Sequence, residues 1–139
     1  MAAQPEYLLD ASALLALMLN EAGEKAVRDV LGRCAIHTVN VAEVIKKLVQ
    51  KGVPFPEACA SVEELHLKID AQFEMDQAAA CGRLMAEAAA QGLSLGDCVC
   101  LTAAASHNRI ALTAERRWTE LSGRSCFGSA APLRVQLIR

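Results

Sequence analysis

Short apolar runs alternate with amphipathic stretches along this chain. Tyr7-Leu8-Leu9 stops at Asp10-Ala11-Ser12 and passes into an apolar run over residues 13–19, the pattern of a buried strand entering a helix. A second helix is expected over residues 24–32. Residues 34–39 alternate and read as a strand, and residues 40–51 resume helical spacing with Val41, Val44, Ile45 and Leu48 along one face. Pro54 and Pro56 suit a first helical turn and open a helix reaching Leu65, and a third strand is expected over residues 67–73. Two helices follow. One runs over about residues 76–91 and closes at Gly92; the other leads from Leu93-Ser94 to about His107. Residues 109–113 read as a fourth strand, 116–121 as a short helix and 133–138 as a last strand.

Apolar strands alternating with helices predict an α/β fold, a mostly parallel sheet of four to five strands covered by helices on both faces. With 139 residues and no repeat or linker, one domain over residues 1–139 is expected. The hydrophobic fraction of 53% excludes intrinsic disorder. The apolar run near the start is far shorter than the roughly 20 residues of a membrane span, and no Lys or Arg precedes it, so neither a membrane partner nor a secretory signal is expected and the cytoplasm is the expected location. The six cysteines form no C-x-x-C pair and read as reduced, small apolar residues. Net charge is −2 but uneven: from Ser106 onward six arginines face two glutamates, so the last third is basic. A nucleic-acid partner needs only such local charge.

Four acids share a setting. Asp10 follows the first strand, Glu43 lies in the first turn of the helix after the second, Glu115 follows the fourth, and Asp97 lies in the first turn after Leu93-Ser94. In a parallel α/β sheet the strand C-termini and the following helix N-termini share one edge, where ligands bind. Asp10, Glu43 and Glu115 are expected to meet there by topology, with Asp97 joining them from a helix start. Three of them also fit helix caps: Asn40-x-x-Glu43 and Ser94-x-x-Asp97 read as capping boxes, and Asp10 can cap the helix after it. No obvious Lys or Arg partner stands beside Asp10, Glu43 or Asp97; grouped carboxylates repel one another, and a cation relieves the cost. An all-oxygen set suits a hard ion, Mg²⁺ or Mn²⁺, of the kind that serves phosphate chemistry.

The stretches Tyr-Leu-Leu-Asp10-Ala-Ser12-Ala-Leu-Leu, Val39-Asn-Val-Ala-Glu43-Val, Gly92-Leu-Ser-Leu-Gly-Asp97 and Ala111-Leu-Thr-Ala-Glu115-Arg-Arg-Trp118 together resemble a PIN-domain ribonuclease of the VapC toxin group. Their order and spacing cover nearly the whole chain. The resemblance implies an α/β/α sandwich, an acid pocket for Mg²⁺ or Mn²⁺, hydrolysis of RNA, a homodimer and a small cognate antitoxin protein as partner. Asp10, Glu43 and Asp97 match the three core acidic positions. That group usually has Asp after Leu-Thr-Ala; here Glu115 reaches about 1.5 Å further. Ser12 and Thr113 match positions lining the pocket, where a hydroxyl orients water; local backbone bonding is the alternative.

Metal-dependent hydrolysis of RNA by an activated water is the expected reaction, with Asp10, Glu43, Asp97 and Glu115 holding the ion. The alternative is a catalytically weak PIN-like module that binds RNA or protein, motivated by Glu115. Phosphoaspartate chemistry fits less well, because Ser12 rather than an acid follows Asp10 and no Lys lies near the fourth strand. Arg116 and Arg117, next to Glu115, and Lys46 and Lys47, beyond Glu43, are the expected RNA-binding residues; a solvated face is the bland alternative. His37, His66 and His107 lack a partnered nucleophile. Asp70, Glu74 and Asp76 read as a solvated edge or a cap, and Trp118 as a packing residue.

Overall fold

Leu8 and Leu9 are adjacent on the first strand and both fully buried, and adjacent side chains on a pleated strand leave by opposite faces. The sheet therefore carries a core on each side, as in a parallel α/β layer. The computed structural model describes residues 4–139. In chain order it contains β1 (Tyr7–Leu9), α1 (Ala11–Met18), α2 (Glu24–Val30), β2 (Cys34–His37), α3 (Thr38–Gln50), α4 (Phe55–Glu63), β3 (Lys68–Asp70), α5 (Met75–Ala86), α6 (Leu95–Ser106), β4 (Ile110–Thr113) and β5 (Val135–Leu137). Short 3₁₀ turns occupy Leu31–Arg33, Ala88–Ala90 and Arg116–Leu121.

All pairings are parallel, in the order β3-β2-β1-β4-β5. Leu8 sits in register with Ala35 and Ala111, and Leu9 with Ile36 and Leu112. The small residues beside Leu8 let α6 lie close to that face, packing Cys98, Cys100 and Ala104 into one core with Trp118 and Leu121. On the other face Leu9, Ile36 and Leu112 meet Leu14, Val44, Leu48 and Val62 from α1, α3 and α4. The expected α/β/α sandwich is thus present, with helix α6 buried on nearly every side.

From β1 the chain builds outward through β2 and β3, then returns to place β4 on the other side of β1. The strand order reverses at the β1–β4 boundary, and a crevice opens outside the strand C-termini at such a point. Asp10 and Glu115 follow these two strands.

Helix α3 begins at Thr38, two residues before the expected start. His37, buried at the end of β2, accepts a hydrogen bond from the Val39 N–H on Nδ1 (3.1 Å), and its Nε2 faces the Gln72 carbonyl oxygen at 2.9 Å. The tautomer protonated on Nε2 satisfies both. An imidazole therefore caps the helix, and Asn40 falls inside the first turn, which removes the expected Asn40–Glu43 capping box. The Ser94–Asp97 box does form.

Asp70 departs from its reading as a solvated edge or cap. It is 8% exposed, with Oδ2 3.9 Å from Arg109 Nη1 and 3.6 Å from His107 Nδ1. Removing one member of a buried pair leaves the other charge stranded. Asp70→Ala is expected to cost about 3 kcal/mol in urea unfolding, against the 3–5 kcal/mol typical of better-formed pairs. A loss below about 1 kcal/mol would show the pair to be idle.

The six cysteines are free; five are buried, and burial pushes the Cys34 and Cys98 thiols up to about 12. Among the described residues no helix is long and apolar enough to cross a membrane.

Candidate active site

Asp10 ends β1 and caps α1, accepting the Ala13 N–H on Oδ1 at 2.8 Å. Two hydroxyls complete its shell: Ser12 Oγ donates to Oδ1 at 2.7 Å and Thr113 Oγ1 to Oδ2 at 2.6 Å. These hydroxyls are themselves held, Ser12 Oγ by the Ala114 N–H and Thr113 Oγ1 by the Glu115 N–H, each at 3.0 Å. Ser12 and Thr113 therefore combine the two roles considered for them, accepting local backbone donors while supporting the pocket acid. The carboxyl is 3% exposed, and its pKa is raised from 3.8 to about 6. Burial is the main cause; the three hydrogen bonds oppose it, and the Asp97 charge adds to it.

Glu43 lies in the second turn of α3, not the first turn expected, because the helix starts at Thr38; it is half-buried, its Oε2 accepting from Asn40 Nδ2 at 3.1 Å. Asp97 is half-buried at the start of α6; its Oδ2 accepts the Ser94 N–H at 2.9 Å while Ser94 Oγ accepts the Asp97 N–H at 3.1 Å. Asp10 and Asp97 are thus helix caps and site residues at once, because a helix N-terminus at the sheet edge places its capping acid in the crevice. Glu115 is exposed just after β4.

These four carboxylates line one open cavity of about 200 Å³, with Leu15 on its apolar wall and Lys46 and Lys47 at its margin. Arg116 and Arg117 are exposed and do not line it. The Arg117 guanidinium instead donates to the Gln91 carbonyl before α6. Trp118 is fully buried, which leaves no face for a base to stack on. A second cavity, about 230 Å³, between α5 and the C-terminal segment has one carboxylate on its wall, Glu87, paired to Arg124. Size does not distinguish the two; the concentration of acid does.

Among the described residues none of the four carboxylates has an ion-pair partner, and no three ligand-type side chains stand close enough to enclose an ion by themselves. The all-oxygen donor set lining the cavity suits Mg²⁺ or Mn²⁺, hard ions that take oxygen ligands; Mg²⁺ in particular keeps several waters and needs only one or two direct carboxylates. A site for a softer metal would require thiolate or imidazole, and neither lines the cavity.

No curated protein matches the sequence significantly. The fold is similar to a chain in the DNA-bound VapBC of Salmonella typhimurium, at 18% identity and a TM-score of 0.71, covering 98% of this chain and 100% of that one. It is also similar to chains in VapBC2 of Rickettsia felis bound to a promoter DNA fragment (14%, 0.66, 94% and 97%) and in VapBC-1 of nontypeable Haemophilus influenzae (17%, 0.64, 95% and 97%). The PIN domain model matches residues 7–123, a span that begins at β1 and includes all four carboxylates and the reversal of strand order that brings them together, and the chain therefore belongs to the PIN domain family.

Proposed function

We propose that this protein is a Mg²⁺- or Mn²⁺-dependent endoribonuclease, acting in the cytoplasm as the toxin of a toxin–antitoxin pair. The observation that carries the reading is the set of four carboxylates without cationic partners lining one crevice of a PIN-domain chain. Asp10, held rigidly by Ser12, Thr113 and the Ala13 N–H, anchors the ion; Glu43 and Asp97 offer oxygens from α3 and α6, and Glu115 from the end of β4. When bound, the ion supplies an activated water and charge stabilisation for the attacking and leaving oxygens. Lys46 and Lys47, at the margin, attract the RNA backbone, and Arg116 extends the basic rim. Arg117 reaches a phosphate by releasing the Gln91 carbonyl. A small antitoxin is the proposed protein partner, in line with the VapBC complexes of similar fold. Exposed Val49 and Phe55, and Ile69, Phe73 and Met75 along the β3 edge, offer apolar area to that partner and to a second copy in a homodimer.

No histidine lines the crevice to assist attack by the RNA 2′-hydroxyl. Purified protein incubated with structured RNAs is therefore expected to cut only with Mg²⁺ or Mn²⁺ present and to leave 5′-phosphate and 3′-hydroxyl ends. Fragments ending in 2′,3′-cyclic phosphate would rule the mechanism out.

A further inference from the structure

Glu43 and Asp97 stand on different helices, and two uncharged residues bring them to one cavity. Asn40 is fully buried; its Nδ2 donates to Glu43 Oε2 and to the Gly96 carbonyl, each at 3.1 Å. Gly96 is the residue before Asp97, and a Cβ there would overlap Glu43 Oε1 and stand 2.5 Å from Glu43 Cδ. Nothing in the backbone calls for glycine at this point: Gly96 lies inside α6 and is not among the residues with positive φ. In a helix glycine is less favourable than alanine by up to about 1 kcal/mol. Space for a carboxylate is what its missing side chain provides. Asn40 is likewise a poor packing residue, since its buried Oδ1 has no hydrogen-bond partner. Its contribution is the forked donation from Nδ2.

We infer that Asn40 and Gly96 are positioning residues that together seat the Glu43 carboxylate against the first turn of α6, beside Asp97. The inference rests on the metal-dependent reading of the cavity. Asn40 supplies the donor that orients Glu43 and ties α3 to α6; Gly96 supplies the room. Neither touches the ion or the RNA. Outer partners of this kind typically govern metal affinity by 10- to 100-fold.

The test is Mn²⁺ binding to the metal-free protein by titration calorimetry, which needs no RNA substrate. Gly96→Ala is expected to fold at least as stably as the parent, because the added methyl meets the end of a flexible side chain and alanine favours the helix. Its Mn²⁺ affinity is expected to fall about 10-fold or more. In a Glu43→Asp background the shorter side chain clears the new Cβ, and Gly96→Ala is then expected to change affinity less than about twofold, a coupling that a general disturbance of α6 would not produce. Equal losses in both backgrounds, or no loss in either, overturn the inference. Binding by the parent that Asp10→Asn abolishes and Gly96→Ala leaves intact overturns it while the metal site stands. A parent protein that binds no Mn²⁺ overturns both.

Discussion

Replacing Asp10 by Asn is expected to abolish metal-dependent RNA cleavage while raising the thermal stability of the metal-free protein. The two effects share one origin. Asp10 is buried at the end of β1, and its pKa is raised from 3.8 to about 6. A carboxyl that binds its proton more tightly in the folded than in the unfolded state favours folding at low pH. That contribution is complete below about pH 4 and is lost as the pH rises through about 6. At neutral pH the metal-free fold holds a buried anion at a cost of about 3 kcal/mol, from the roughly two-unit shift. Asparagine retains the acceptor for Ser12 and the Ala13 N–H, and the Thr113 hydroxyl can turn to accept from the amide. The charge is gone, and with it the proposed anchor for a cation. Differential scanning at pH 7.5 in a chelating buffer should show a midpoint higher by about 5–10 °C. Added Mg²⁺ should raise the midpoint of the parent and leave the variant unmoved. A variant less stable than the parent without metal, or one that still cuts, would contradict the assignment of Asp10.

Thr113→Val carries the second large effect, because one hydroxyl supports the Asp10 carboxylate and the backbone at Glu115. Thr113 Oγ1 donates to Asp10 Oδ2 at 2.6 Å and accepts the Glu115 N–H at 3.0 Å. Among the hydrogen bonds that hold the Asp10 pKa down, Thr113 contributes most. Valine keeps the branched shape and removes the bond. Hydrogen bonds to a charged group contribute about 1.5–3 kcal/mol, so the Asp10 pKa is expected to climb by about one to two units from its already raised position. The acid limb of the pH–rate profile should move up by a similar amount, cutting the rate at pH 7 by about two- to tenfold, while Thr113→Ser stays close to the parent. Rate profiles of the three proteins across pH 5–9 measure this directly. An acid limb that does not move in Thr113→Val would remove Thr113 from the control of Asp10.

Both predictions depend on a bond between residues 103 positions apart. Nothing in the local pattern around Thr113 announces it, since a hydroxyl at a strand end reads equally well as a local backbone partner. The same holds for Asn40, whose spacing from Glu43 looks like a capping box until His37 takes the cap two residues earlier. Asp70 resembles a solvated acid until β3, β4 and the end of α6 are assembled around it. Arg117 lies only two residues after Glu115, yet the 3₁₀ turn sends its guanidinium to Gln91.

The amino-acid sequence alone determined the succession of strands and helices, the two-sided burial of the sheet, and the presence of an acid after β1 and β4, on α3 and at the start of α6. Those features are written in hydrophobic period, proline and glycine placement and capping chemistry, all of which act over a few residues. The tertiary structure decided the order β3-β2-β1-β4-β5, and with it which acids face one crevice, which hydroxyl holds Asp10 and which glycine admits Glu43. Strand order is selected by the packing of both faces of the sheet at once, and distant segments contribute to that packing without leaving a mark on each other's local sequence.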